Sequence, residues 1–182
     1  MQLPSCVLAV DQATESGWSI HLGRRPLASG TVRVWDYAAR GQVVREAYAL
    51  SAGRPFLFAY EDHARAPLRS YKYTGQVLAL GGALWLWLDS LNRVGHPEDE
   101  RLGITSKDWR RVVLGMSERR GRDECKAEAI RWAEAYVGRA VTHDEAEGLA
   151  IGAYAALFGQ FEIARRTARN SRRERRVQRK RV

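Results

Sequence analysis

Four carboxylates in three separated stretches stand where apolar chain gives way to polar chain: Asp11 in VLAVDQATESGW, Glu61 in FLFAYEDH, and Asp144 with Glu147 in VTHDEAEGLAIGAYAA. Acids at the ends of buried elements can meet when an α/β fold brings those ends together. Carboxylates gathered in this way repel phosphate unless metal is bound. An oxygen-only donor set, with no convergent His/Cys cluster, suits hard Mg2+ or Mn2+. Two such ions roughly 4 Å apart can activate a water on one side of a phosphorus and stabilise the leaving oxygen on the other. The pattern therefore points to a nuclease. Singly, Asp11 and Glu61 read as strand-end acids, and Asp144 as a first-turn acid stabilising the positive end of a helix dipole. Glu147, a turn further on and directly before an apolar run, has no such simple role.

Two basic groups could assist. His143 adjoins Asp144 and could act as ligand or proton carrier, although a helix-start His is more often simply exposed. Lys126, in a charged helix start, could meet the scissile phosphate; its plainer role is to solvate a helix face.

These residues need a scaffold. The stretches 5–11, 17–22 and 30–35 read as a three-strand meander with turn signals at Gly23 and Pro26. Residues 38–52 are helical in pattern up to Gly53, and Pro55 then introduces FLFAY, a buried fourth strand ended by Glu61. A helix over 71–92 carries two apolar stripes. Val77, Leu80, Leu84, Trp87 and Leu91 make a core face; Leu78, Gly81, Gly82 and Trp85 make a second face suited to a homodimer, the glycines permitting close approach of another element. A short fifth strand over 102–105 leads to helices over 106–114 and 124–136. The last helix starts at Thr142 with a capping box closed by Glu145, and Ala146, Leu149, Ala150, Ala153, Leu157 and Phe161 form its core face. Asp144 and Glu147, three residues apart, share one side of it.

The 182 residues, 45% of them hydrophobic, suffice for one domain with a proper core. The net charge of +9 is unevenly placed: residues 165–182 hold ten of the 30 basic residues and one of the 21 acids, leaving 20 of each in 1–164. The chain thus divides into a folded unit, 1–164, and a basic tail, 165–182, in which Arg172, Arg173, Arg175 and Arg176 are concentrated. Arg in preference to Lys favours phosphate, so nucleic acid is the implied partner. Cys6 and Cys125 are too few for a disulfide framework or a zinc site, which fits a reducing compartment. The start MQLPSCVLAV lacks the pattern of a signal peptide. The most apolar segment, 77–88, is too short to span a bilayer and reads as a buried helix, so no membrane association is expected.

Six tryptophans invite stacking on unpaired bases. Trp18, Trp35, Trp85, Trp87 and Trp132 lie in apolar or amphipathic elements and read as core. Trp109 with Arg110, in SKDWRR, is the nucleic-acid candidate. The segment ARAPLRSYKY after Glu61 mixes Arg65, Arg69 and Lys72 with Tyr71 and suits a DNA strand, though an ordinary polar connector has the same composition.

Taken in order, Asp11-x-x-Thr14-x-x-Gly17-Trp18, Phe58-Ala59-Tyr60-Glu61 and Asp144-Glu145-Ala146-Glu147-Gly148-Leu149-Ala150 resemble the three acidic motifs of the RuvC-like Holliday junction resolvases, particularly phage-type members, within the ribonuclease H-like superfamily. The resemblance covers about residues 5–160; Trp109-Arg110 and Lys126 match the family's substrate-side elements more loosely. It implies an α/β ribonuclease H-like fold, a mixed five-stranded sheet with helices on both faces. It further implies a homodimeric, cytoplasmic endodeoxyribonuclease of a bacterium or a phage-infected host. Such an enzyme would cut opposing strands of a four-way junction to leave 5′-phosphate and 3′-hydroxyl ends. The acidic positions carry over to Asp11 as bridging ligand, Glu61 on one Mg2+ or Mn2+ ion, and Asp144 with Glu147 on the other. Two departures stand out: Glu147 replaces the usual Asp, and the loop after Asp11 is shorter and lacks Pro-Gly.

Other readings remain. AVDQATESG also looks like the phosphate loop of actin-like sugar kinases, but these need a second lobe for which 182 residues leave no room. A non-catalytic DNA-binding protein would explain the tail and not the carboxylates. Nucleases of this fold acting on flaps, other branched DNA or RNA–DNA hybrid are the runner-up.

Overall fold

Strands whose side chains alternate between two covered faces read as continuous apolar runs, which is how β1 and β4 look in sequence. The structure is a computed structural model; it describes residues 6–53, 56–63, 74–116 and 121–179, with the backbone alone for Thr74, Arg166 and residues 169–179. In chain order the elements are β1 (Cys6–Asp11), β2 (Glu15–Leu22), β3 (Arg25–Arg33), α1 (Tyr37–Leu50), β4 (Leu57–Glu61), α2 (Thr74–Arg93), β5 (Arg101–Ile104), α3 (Ser106–Val113), α4 (Arg122–Val137) and α5 (His143–Arg179), with a 3-10 turn at Glu98–Glu100. They build one mixed sheet in the order β3-β2-β1-β4-β5, antiparallel from β3 to β1 and parallel from β1 to β5.

The alternation sorts the core into two layers. Leu8, Val10, Ile20 and Phe58 face α1 and α2, packing on Val43, Val44, Ala47, Trp87 and Leu91. Val7, Ala9, Leu57, Ala59, Leu102 and Ile104 face the other way, onto Trp109 of α3 and Ala150, Ile151 and Tyr154 of α5. Helices therefore cover both faces, as the sequence leads one to expect.

Several elements differ from their sequence expectation. Strand β3 begins at Arg25 rather than residue 30, because Gly23, at φ 60°, closes a two-residue hairpin with Leu22 paired to Arg25. Pro26 thus lies inside an edge strand, the position in a sheet that tolerates proline, beside a register shift at Ile20/His21. Trp35 falls beyond the strand and is 60% exposed, so it is not a core residue. Helix α2 is not uniformly buried: Trp87 and Leu91 are fully enclosed, whereas Leu78 and Trp85 are 71% and 63% exposed. Among the described residues nothing lies within 4 Å of where a Cβ on Gly81 or Gly82 would sit. Helix α5 runs past residue 164 to Arg179 without a break, so the backbone of most of the basic segment continues the helix that packs on the sheet. Among the described residues no helix is long and apolar enough to cross a membrane.

Candidate functional site

Parallel pairing of β1 with β4, in the register Val10 opposite Tyr60, makes Asp11 and Glu61 the next rung. Two residues on from Ala9 and Ala59, both acids fall on the α3/α5 face. A third side chain fixes the pair. Gln12, only 1% exposed, accepts a hydrogen bond from the Glu61 backbone N–H at 3.1 Å and donates to the Glu61 carbonyl. A primary amide holds a donor and an acceptor side by side, so it can mimic a strand rung beyond the last backbone pair. The sequence reading overlooked Gln12; its polar amide directly after the strand-end acid was the available signal.

Asp144 and Glu147 arrive from the start of α5, which can lie this low over the sheet because glycines meet there. Gly17 is the β2 residue opposite Asp11. A Cβ on Gly17 would sit 1.6 Å from the Asp144 carbonyl oxygen, and one on Gly148 would sit 2.7 Å from the Gly17 carbonyl carbon. One helical turn on, Gly152 lies against Ser19 and His21, and the Ser19 hydroxyl donates to the Gly148 carbonyl at 2.8 Å. The expected capping box is half formed: the Thr142 hydroxyl accepts from the Glu145 N–H at 3.2 Å. The Glu145 carboxylate turns away to Arg139 and Ser29, since a guanidinium is a stronger partner than a backbone N–H.

The result is a crowded acid cluster. Asp11, Glu61 and Glu147 are 7%, 7% and 8% exposed, and Asp144 is half-buried. Burial lifts Asp11 well above the ordinary carboxylate range, helped by the charges of Glu147 and Glu61, a hydrogen bond to Glu147 and the charge of Asp144. Burial and then the Glu147 charge push Glu61 up to about 7, against the opposing pull of Arg110, Trp109 and Ser106. Glu147 is the exception. Burial raises it too, but the His143 hydrogen bond and charge, the Arg110 charge and the Asp11 hydrogen bond outweigh burial and hold it low. Asp11 and Glu147 are thus shifted in opposite directions.

Nitrogen groups ring these acids. Arg110 Nη2 lies 3.3 Å and His143 Nε2 3.4 Å from the same Glu147 oxygen, while His143 Nδ1 is 3.2 Å from Asp144 and His63 Nδ1 is 3.7 Å from Glu61. His143 is raised from its usual value, chiefly by Glu147. Lys126, half-buried on α4, acts on His143 by its charge and so borders the site.

The nucleic-acid candidates fare differently. Trp109 is completely buried between the sheet and α5 and offers no face to a base, which corrects the sequence reading; its indole acts on Glu61 instead. The flanking charges misled because the Arg110 guanidinium carbon lies 4.9 Å from the centre of the Trp109 ring, a cation covering an aromatic from outside. Arg110 itself reaches into the site rather than standing free. Arg65, Arg69, Tyr71 and Lys72 lie outside the described residues, as do the side chains of Arg172, Arg173, Arg175 and Arg176.

The donor set is of the type that a hard divalent cation takes: carboxylates buried near one another, two of them raised by burial and by neighbouring charge. Yet among the described residues no group of three or more His, Cys, Asp or Glu is gathered closely enough to hold a metal ion. Glu147 is engaged by Arg110 and His143 instead.

No protein-family model matches the chain, and no curated protein matches its sequence. Solved structures do match its fold. Thermus thermophilus RuvC in complex with a Holliday junction substrate superposes with a TM-score of 0.62 at 15% identity, covering 87% of this chain and 97% of that one. A further Thermus thermophilus RuvC structure gives 0.57 at 16% identity with the same coverage. The architecture is therefore the ribonuclease H-like one of RuvC, shared at the level of the fold.

Proposed function

We propose that the chain is a metal-dependent endodeoxyribonuclease that resolves four-way DNA junctions. The observation that carries this reading is the meeting of Asp11, Glu61, Asp144 and Glu147 at one end of a RuvC-like sheet. Asp11, Glu61, Asp144 and Glu147 would be the residues that hold Mg2+ or Mn2+. When bound, such ions supply Lewis-acid activation of a phosphodiester and a water. Asp11 and Glu61 would have to be ionised to serve as ligands, and a bound cation would offset the burial and neighbouring charge that raise both. His143, 3.2 Å from Asp144 and 3.4 Å from Glu147 and raised from its usual value by Glu147, would act as a proton donor, and Lys126 and Arg110 would border the site as cations for the phosphate.

Cutting two opposing strands calls for two active sites. The exposed stripe of Leu78, Gly81, Gly82 and Trp85 on α2 supports a homodimer, since large apolar side chains left open on one helix face favour a partner. The basic half of α5 supports binding to a polyanion. The products would carry 5′-phosphate and 3′-hydroxyl ends.

The test is cleavage of a four-way junction, a linear duplex, a flap and an RNA–DNA hybrid, each with and without Mg2+ or Mn2+. Paired, metal-dependent cuts in the junction alone support the proposal. Equal or better cleavage of flap or hybrid would reassign the substrate, and binding without cleavage of any of them would reject an enzyme.

A further inference from the structure

We propose that Arg110 is an exchangeable partner of Glu147 that makes divalent-cation binding and DNA binding cooperative. The inference rests on the nuclease reading and adds to it a coupling between its two ligands. The Arg110–Glu147 contact, at 3.3 Å, joins an arginine whose side chain is 34% exposed to a glutamate whose side chain is 11% exposed. One half of the ion pair faces the solvent from which DNA arrives, and the other half faces the acids.

The pair is also incompletely made. A single nitrogen of the guanidinium reaches Glu147, where arginine and carboxylate commonly form two parallel bonds. Arg110 Nε is buried and has no hydrogen-bond partner among the described residues. The buried Trp109 ring supports the guanidinium from beneath. A planar guanidinium with unused donors, held at a rim, is well matched to a phosphate. A carboxylate enclosed with three other acids is well matched to a divalent cation.

Each ligand therefore takes one half of the pair. A cation that takes Glu147 releases Arg110 to phosphate, and a phosphate that takes Arg110 leaves Glu147 with less compensation for its buried charge, which strengthens its hold on a cation. His143, 3.4 Å from the same Glu147 oxygen, is the other neighbour of this carboxylate. Linkage requires the effect to be reciprocal: DNA tightens the cation by the factor by which the cation tightens DNA.

Titration calorimetry with Ca2+, chosen as an oxygen-seeking probe, tests this on the full chain with and without a four-way junction, gel electrophoresis confirming that the DNA stays whole. For the wild type, Ca2+ and junction should each strengthen the other by about tenfold. Arg110→Gln, checked for folding by circular dichroism, should bind Ca2+ more tightly than wild type without DNA and show little coupling. Arg110→Lys, the milder change, should keep the sign of the coupling at reduced size. Wild type that binds both ligands independently, or Arg110→Gln that keeps the full coupling, would overturn the inference alone. Wild type that binds neither ligand would overturn the nuclease reading together with it.

Discussion

Gly148 of α5 rests on Gly17 of β2 so closely that a Cβ on Gly148 would meet the Gly17 carbonyl carbon at 2.7 Å and the Trp18 nitrogen at 2.8 Å. Backbone, not a movable side chain, is what the new atom would strike. The crossing sets the height of α5 above the sheet and so the approach of Asp144 and Glu147 to Asp11.

Gly148→Ala tests the crossing by sign. In a slack helix the change to alanine would stabilise by about 1 kcal/mol. Here overpacking should win and destabilise by about 1–3 kcal/mol, with cleavage falling further than stability because the acids are lifted apart. Chemical denaturation and cleavage rates on the same preparation measure both.

Gln12→Ala should act through Glu61. Removal of the amide leaves the buried Glu61 N–H and carbonyl without that partner, which lowers stability by about 2 kcal/mol and loosens the Asp11–Glu61 rung. Gln12→Glu, of similar shape but without the donor, should be at least as harmful. A variant with wild-type melting and cleavage would show the amide to be incidental.

Protonation gives the cluster a pH signature. Glu61 sits at about 7 in the fold against 4.5 ordinarily, and Asp11 shifts in the same direction, so the native state binds more protons than the unfolded chain between those values. Their contribution to stability is therefore greatest in acid and declines as pH rises from about 4.5 to 7. Glu147, held low, works in the opposite sense, adding stability above its ordinary value and losing it as pH falls. Thermal melts in a chelating buffer should show Glu61→Gln flattening the decline toward neutral pH, and Mg2+ or Mn2+ should flatten it in the wild type. A decline of the same slope in Glu61→Gln would place the titrating group elsewhere.

Much of this arrangement is legible in sequence, and the exceptions share a cause. Asp11, Glu61, Asp144 and Glu147 are identifiable because each ends or begins a periodic apolar element, and strand parity places two of them on a common face. Contact between elements is what periodicity does not encode. Gly81 and Gly82 read as a close-approach pair, whereas among the described residues the tight crossings include Gly17, Gly148, Gly152 and Gly159. Trp109 reads as exposed beside Arg110 and is buried; Trp35 reads as core and is exposed. In each case the flanking residues suggest one environment and the partner element supplies another. Gln12 acts through the backbone of Glu61 at the end of the neighbouring strand, a relationship visible only once β1 and β4 are side by side.

The exposed α2 stripe makes a prediction about assembly. Gly82→Glu combined with Trp85→Glu should leave a folded monomer, because neither side touches the core, and that monomer should nick one strand of a junction rather than cut two in one encounter. Sedimentation at micromolar concentration decides it; wild type that is monomeric both free and on a junction would reject the dimer.

The central claim, that the four carboxylates form one catalytic cluster, is tested most directly by Asp11→Asn. The isosteric change keeps size and shape while removing the charge at the centre of the cluster. With Mn2+ and a labelled four-way junction, the variant should lose cleavage by orders of magnitude and bind the junction as tightly as wild type or more so, since a negative charge near phosphate is gone. Near-normal cleavage by folded Asp11→Asn would contradict the account.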